Sequence, residues 1–162
     1  MIIEGERQQT VCFTGHRPEK LNKPEWLVKL ALKKQIRRAI ADGYKVFISG
    51  MARGVDIWAA QIVLAQRDGG SDIRLVCACP CRDFQRCWED SWKAQAGEVL
   101  ERADRVEYIC ESYTRFCFQK RNEWMVDRSS RIIAAFNGES GGTKNTVDYA
   151  NRKGVPVVVI GS

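Results

Sequence analysis

The sequence lacks several features that would place it in a specialised class of protein. No apolar run approaches the roughly 18 residues that a membrane-spanning helix needs. The first residues, 1–9, carry acids where a signal peptide would be apolar. We therefore expect a cytoplasmic protein with a short leader over 1–9 and no membrane partner. Internal repeats, low-complexity segments and linkers are also missing, so residues 10–161 are predicted to form one domain.

The seven cysteines do not form a pattern typical of disulfides or metal sites. An odd number is unsuited to a disulfide framework, and a chain of 162 residues does not need one, so we expect reduced thiols. Cys77, Cys79, Cys81 and Cys87 have the spacing C-x-C-x-C-x5-C, which matches no zinc finger or ribbon. Cys77 and Cys79 are expected in the core as small apolar residues. We predict no metal site and assign no cofactor.

The usual phosphate-binding fingerprints are missing as well. The sequence contains neither G-x-G-x-x-G nor G-x-x-x-x-G-K-[ST]. The net charge of +6 is moderate and favours anionic partners without distinguishing a nucleotide from a nucleic acid. A basic stripe on one predicted helix (Lys29, Lys33, Lys34, Arg37 and Arg38) is interpreted as a solvated face.

Strand and helix patterns alternate along the whole chain. Short apolar runs predict strands over 10–14, 44–49, 73–79, 105–110, 131–136 and 155–160. Helical periodicity predicts helices over 24–42, 55–68, 84–102, 115–128 and 143–153. This order is typical of an α/β, Rossmann-like three-layer sandwich with a mostly parallel sheet of about six strands and helices on both faces.

Three glycine-bearing loops follow strands: "TGHRPE" (14–19), "SGMARGVD" (49–56) and "NGESGGT" (137–143). Right-handed crossovers bring such loops to the carboxyl edge of a parallel sheet, where open α/β sheets bind ligands. Glycines and helix N-termini present unpaired N–H groups to an anion, and Arg17 and Arg53 add positive charge. Each loop alone could simply be a turn, but the three together predict a site for an anionic, nucleotide-like ligand.

Two charged residues have both a structural and a functional interpretation. Asp56 either stabilises the start of its helix or accepts a hydrogen bond from a ribose hydroxyl. Arg121 is either a solvated helix residue or a phosphate clamp, with Asn122 beside it to orient it.

The aromatic candidates leave similar alternatives open. His16 is either a structural hydrogen-bonding residue or a ligand contact, and proton transfer is the least favoured role. Trp88 and Trp92 are predicted to share one helix face, and Trp58 to face inward. Core packing is the default for tryptophans at this spacing, and stacking on a base is the alternative for Trp58 or Trp88.

Four segments resemble one known family. "CFTGHRPEKL" (12–21), "SGMARGVDIWAA" (49–60), "RNEWMVDRS" (121–129) and "GGTKNTVDYA" (141–150) are similar in order and spacing to the SLOG superfamily (SMF/DprA–LOG), in particular its YpsA-like branch. The resemblance covers roughly residues 10–160. It implies a Rossmann-like fold that binds nucleotides or nucleotide-derived ligands.

The superfamily implies three different functions. LOG relatives cleave the N-glycosidic bond of nucleoside 5′-monophosphates, and by position Arg121 and Asp148 match their Arg and Glu. This sequence departs from that motif at Ser140, Lys144 and Asp148, and a shorter acid would displace the carboxylate. DprA relatives bind single-stranded DNA and share the 49–56 loop. Other SLOG domains sense nucleotide signals such as ADP-ribose derivatives.

The sequence therefore predicts a nucleotide-binding sensor or regulatory domain, with a LOG-like hydrolase or a single-stranded DNA binder as alternatives. The homo-oligomeric state and the occurrence of turnover stay open. Arg121 and Asp148 are the catalytic candidates only for the hydrolase. The candidate ligand-binding residues are Gly15, His16, Arg17, Ser49, Gly50, Arg53, Gly54, Asp56, Trp58, Trp88, Arg121, Asn122, Ser140, Gly141, Gly142, Thr143 and Thr146.

Overall fold

A computed structural model describes residues 4–161. The strands are β1 (Thr10–Gly15), β2 (Val46–Ser49), β3 (Arg74–Cys79), β4 (Arg105–Tyr108), β5 (Arg131–Ala135) and β6 (Val157–Ile160). The helices are α1 (Glu4–Arg7), α2 (Glu25–Ala41), α3 (Val55–Asp68), α4 (Asp90–Arg102), α5 (Cys117–Asp127) and α6 (Gly142–Arg152), with a 3-10 turn at Pro18–Lys20.

The six strands form one sheet in the order β4-β3-β2-β1-β5-β6, and every pair is parallel. Helices α2, α3 and α4 pack together on one face, and α5 and α6 pack on the other. This three-layer α/β sandwich confirms the predicted fold class. Because β5 lies next to β1, the chain reverses direction across the sheet at β1, and such a point is where open sheets form ligand crevices.

Helix α2 shows why the periodicity predicted the core. Val28, Leu32, Ile36 and Ala39 recur at helical spacing, and all four are fully buried against the sheet. The strands are continuous apolar runs because both of their faces are covered. Cys77 and Cys79 are buried within this core, as predicted. All seven cysteines are free thiols.

The predicted helix over 84–102 is wrong in its first part. Residues 81–89 form a series of turns, Asp83 has a φ of +56°, and the helix begins only at Asp90 after the extended residue Glu89. Trp88 and Trp92 therefore do not share a helix face. Trp88 lies in the turn segment, whereas Trp92 packs on Trp58 with ring centroids 6.2 Å apart.

Within the predicted leader 1–9, Glu4–Arg7 forms a helical turn that contacts the domain. The Thr10 hydroxyl donates to the Glu6 carbonyl at 2.6 Å, and Arg7 Nε donates to the Asp127 carbonyl at 3.2 Å. Residues 1–3 lie outside the described part. Over residues 4–161, the helices are all too short or too polar to cross a bilayer.

Candidate functional site

The three glycine-bearing loops meet at the carboxyl edge of the sheet and enclose a cleft of about 630 Å³. Its lining includes Gly15–Arg17 at the end of β1, Met51–Arg53 after β2, and Gly141–Thr143 at the start of α6. Asp56, Trp88, Arg121 and Asn122 complete the predicted residues that reach it. The turns that the sequence separates by more than a hundred residues thus share one cleft.

Asp56 is the most unusual residue of the cleft. Only 5% of it is exposed, and the Ala52 backbone N–H donates to its Oδ2 at 3.2 Å. Within residues 4–161, its Oδ1 is buried and has no hydrogen-bond partner. Burial raises the pKa of this carboxyl to about 6, against the attraction of the nearby Arg121. A buried carboxyl oxygen without a partner is unusual in a folded protein, and this one belongs to a residue that lines the cleft.

Arg121 approaches Asp56 from the opposite face of the sheet. It is 6% exposed; its Nε donates to Asn122 Oδ1 at 2.8 Å and one terminal nitrogen donates to the Gly50 carbonyl. Burial lowers the pKa of this guanidinium, whereas Asp56 raises it. The side chain is thereby fixed in orientation, as a clamp for an anion requires.

Gly50 allows these two charged side chains to meet. A Cβ at this position would lie 2.9 Å from Asp56 Oδ2, which is too close, and 3.1 Å from Arg121 Cδ, which is tight. Beneath it, the buried Ser49 hydroxyl donates to the Asp56 carbonyl at 2.8 Å and accepts from the Met51 N–H at 3.2 Å. Met51 has a φ of +61°, a conformation that non-glycine residues seldom adopt, so backbone strain is stored at the cleft.

The N-terminus of α6 forms one wall of the cleft. Its N-cap is Gly141, which supplies no capping side chain, and Gly142 and Thr143 follow along the lining. The first N–H groups of a helix have no intrahelical partner and carry the positive end of the helix dipole. Lys20 lies beside them, with its Nζ 3.9 Å from where a Cβ on Gly141 would sit. This wall is suited to bind an anion.

Within residues 4–161, the two arginines of the glycine loops differ in whether an acidic side chain of the protein pairs with them. Arg17 is exposed. Arg53 instead pairs with Glu19 at 2.8 Å, and the pKa of Glu19 is lowered by a backbone hydrogen bond and by this arginine. The positive charge that Arg53 was predicted to offer an anion is thus largely neutralised by Glu19.

Aromatic rings line the part of the cleft formed by the turn segment and α5. Trp88 is half-buried and packs edge-on against Phe84, with centroids 5.5 Å apart. Phe118 is 41% exposed and lies 5.7 Å from the Arg121 guanidinium carbon. Flat apolar surfaces of this kind can accept a planar ring by stacking.

His16 has a structural hydrogen bond at the cleft. It is 4% exposed, the Asn137 backbone N–H donates to its Nε2 at 3.4 Å, and its ring packs 5.7 Å from that of Phe136. This hydrogen bond ties the loop after β1 to the loop after β5.

Seven of the predicted residues do not line the cleft. Trp58 is 3% exposed and belongs to the core. Thr146 donates to the Gly142 carbonyl at 2.8 Å, inside its own helix. Asp148 is 43% exposed and pairs with Lys144 at 2.8 Å on α6, so Arg121 and Asp148 do not face each other across the cleft. The complete set is Ser49, Gly50, Gly54, Trp58, Ser140, Thr146 and Asp148.

Further residues line the cleft without having been predicted from the sequence, among them Lys20, Phe84 and Phe118. A signal existed for Phe118, which precedes Arg121 by three residues and therefore shares its helix face. Lys20 follows the first glycine loop, but only the turn at Pro18–Lys20 directs it back to the cleft. No group of His, Cys, Asp or Glu side chains between residues 4 and 161 is arranged to hold a metal ion.

Solved structures show the same fold at low identity. DprA from Streptococcus pneumoniae superposes with a TM-score of 0.69 at 20% identity, over 97% of this chain and 52% of that one. This chain thus spans about half the length of that protein. DprA from Helicobacter pylori, described for its single-stranded DNA binding mode, superposes with a TM-score of 0.69 at 18% identity. The match covers 97% of this chain and 67% of that one. The Moco carrier protein of Chlamydomonas reinhardtii superposes with a TM-score of 0.54 at 16% identity, over 96% of this chain and 77% of that one.

Comparison of sequences identifies the family, whereas the solved structures show only the fold. UPF0398 proteins of Bacillus thuringiensis (strain Al Hakam) and Bacillus cereus (strain AH187) are each 26% identical over 158 residues, which covers 90% of this chain and 84% of theirs. The family model described as the YspA SLOG family matches residues 11–156. That match confirms the resemblance carried by the four motifs, and the chain belongs to the YspA SLOG family.

Proposed function

We propose that this chain binds a nucleotide or a nucleotide-derived phosphate in the carboxyl-edge cleft, as a sensor or regulatory domain. The phosphate sits on the uncapped N-terminus of α6, next to Lys20 and Arg17. The base stacks between Trp88 and Phe118, and Asp56 accepts a hydrogen bond from a ribose hydroxyl.

The observation that carries this proposal is the unpartnered Oδ1 of Asp56. A buried acceptor without a hydrogen bond costs about 1–3 kcal/mol of folding free energy, and such atoms are therefore rare in folded proteins. This acceptor shares a cleft with an uncapped helix N-terminus and with aromatic rings. A ligand that carries a hydroxyl, an anion and a flat ring would engage all three.

The size of the cleft supports a ligand of this class. Small-molecule sites typically measure about 300–1,000 Å³, and the cleft of about 630 Å³ lies in the middle of that range.

Calorimetric titration with AMP, ADP and ADP-ribose tests the proposal. We expect the double variant Arg17→Gln/Lys20→Gln to bind about tenfold more weakly, because two cations near the phosphate are lost. The matched control is Arg152→Gln/Lys153→Gln, which removes two charges at the far end of α6. Equal affinity of the two variants for every ligand, or no binding by the unaltered protein, would contradict the proposal. Native mass spectrometry of freshly purified protein would identify a retained nucleotide.

Single-strand nucleic-acid binding is a second candidate because of one surface feature beside the cleft. Tyr113, Phe116 and Phe118 are 69%, 54% and 41% exposed, and the Arg115 guanidinium carbon lies 4.6 Å from the Phe116 ring centroid. Tyr113 and Phe118 pack edge-on with centroids 6.2 Å apart. Exposed rings interleaved with arginines are typical of surfaces on which unpaired bases stack.

Fluorescence anisotropy with a labelled oligothymidylate tests this candidate. Binding should weaken steeply between about 50 mM and 200 mM salt, since phosphate contacts release counterions. Phe116→Ala should lower the affinity about fivefold or more through lost stacking, whereas Trp26→Ala, an exposed ring on α2, should not. If oligothymidylate binding changed neither with salt concentration nor with Phe116→Ala, this surface would be excluded as the nucleic-acid contact.

A further inference from the structure

A second concave surface lies on α2; it shares no lining residue with the cleft, and neither function uses it. We call it the α2 groove. It measures about 580 Å³. Its floor is apolar and its rim is cationic, and the lining residues are Lys23, Leu27, Leu30, Ala31, Lys33, Lys34, Arg37 and Gly161.

The floor of the groove is a second apolar stripe on α2. Leu27, Leu30 and Ala31 have the i, i+3, i+4 spacing of a helix face, beside the stripe that packs on the sheet. Leu27 and Ala31 are half-buried, and Leu30 is 58% exposed. The helix has 17 residues, so it offers a straight support of about 25 Å.

The rim of the groove carries positive charge that the acids of α2 and of its C-terminal end do not neutralise. On α2, Glu25 pairs with Lys29 at 2.7 Å. Asp42, just after α2, lies 2.9 Å from Arg131 and 3.8 Å from Arg38. The two nearest acids along this helix are therefore engaged by cations outside the groove, and the rim keeps an excess of charge.

We infer that the α2 groove docks an acidic amphipathic helix of another protein. The leucines would contact the apolar face of such a helix, and the rim cations its carboxylates, in the helix-in-groove mode of peptide recognition. A second copy of this chain fits less well, because a twofold contact would place the cationic rims against each other. A nucleic-acid backbone would satisfy the rim but leave the leucines without apolar contacts.

Anisotropy with a labelled synthetic peptide tests the inference on the full chain. The probe is a helix of about five turns with leucines at i, i+3, i+4 and i+7 and glutamates elsewhere. The control peptide has the same composition shuffled, so that the leucines no longer share a face. We expect the shuffled peptide to bind at least about tenfold more weakly.

Three variants locate the binding. Leu30→Ser should weaken binding of the acidic peptide about fivefold, because an apolar anchor is lost. Lys33→Glu/Arg37→Glu should weaken it about tenfold or more by reversing two rim charges. Lys153→Glu on α6 should change the affinity for the acidic peptide by no more than about twofold. All four side chains are exposed, so the substitutions leave the core intact, and circular dichroism checks the fold.

Several outcomes would overturn the inference. One is equal binding of the two peptides, or no saturable binding up to about 1 mM. Another is a dimer, measured by light scattering, that Leu30→Ser dissociates, since the occupant would then be a second copy. A third is binding to anionic vesicles or to an oligothymidylate that the same variants weaken while the peptide does not bind.

Discussion

Asp56→Asn should stabilise the unliganded protein, and the effect should depend on pH. Burial raises the pKa of the Asp56 carboxyl from its ordinary value of 3.8 to about 6. Each pH unit of such a difference corresponds to about 1.4 kcal/mol, so the ionised carboxylate costs the fold about 3 kcal/mol at neutral pH. Asparagine has nearly the same shape and never ionises, so it should remove this cost.

The sign follows from proton binding. The folded protein holds the Asp56 proton more tightly than the unfolded chain, so this group lowers the free energy of unfolding as the pH rises from about 4 to 6. Above that range the cost is constant, and below it the cost vanishes. The variant should therefore exceed the unaltered protein by about 3 kcal/mol at pH 8, or about 6 to 12 °C in Tm, and match it near pH 4.

Urea unfolding followed by fluorescence at several pH values measures this difference. Asp72→Asn is the matched control, since the Asp72 side chain is 94% exposed and its substitution should give a small, flat difference. A less stable Asp56→Asn protein at pH 8 would refute the reasoning, because it would mean that the attraction to Arg121 outweighs burial. A difference that does not change with pH would refute it equally. Under the proposed function, the same variant should bind nucleotides more weakly.

The remaining predictions concern other residues. Gly54→Ala should destabilise the fold by about 2–3 kcal/mol, because Gly54 has a φ of +89° and its added Cβ would lie 2.8 Å from Pro18 Cδ; Gly43→Ala, at φ +97° in open space, should cost only about 1 kcal/mol in the same chemical denaturation. Trp88→Leu should weaken AMP binding about tenfold by calorimetry and leave ribose 5-phosphate unaffected, since only AMP offers a base to stack. Asp148→Asn should change neither AMP affinity nor any release of adenine seen by chromatography, because its side chain lies outside the cleft; a selective loss of adenine release would restore the hydrolase alternative.

The sequence predicted the architecture well because the signals for it are local. Apolar runs of strand length alternate with helical stripes such as Val28, Leu32 and Ile36, and that alternation leaves few topologies. The gathering of the three glycine loops followed from the same argument, since parallel strands place all their carboxyl ends at one edge.

The details of the cleft could not be predicted because they depend on tertiary packing. Asp148 and Thr143 belong to the same helix, yet only Thr143 reaches the cleft, and the rotation of α6 against the sheet decides this. The proximity of Asp56 and Arg121 brings together side chains from helices on opposite faces of the sheet, which no spacing along the chain encodes. The start of α4 was missed because the aromatic residues Phe84 and Trp88 also fit a helical pattern; their burial in turns is a tertiary effect.

The position of β1 between β2 and β5 has a consequence for biosynthesis. While the ribosome makes the first 130 of the 162 residues, β1 can pair only with β2, and its other side is an unprotected edge. Its sequence, TVCFTG, contains neither a charge nor a proline that would deter pairing with another nascent chain. Completion of β5 covers that edge, so fragments truncated before residue 131 should aggregate where the whole chain folds.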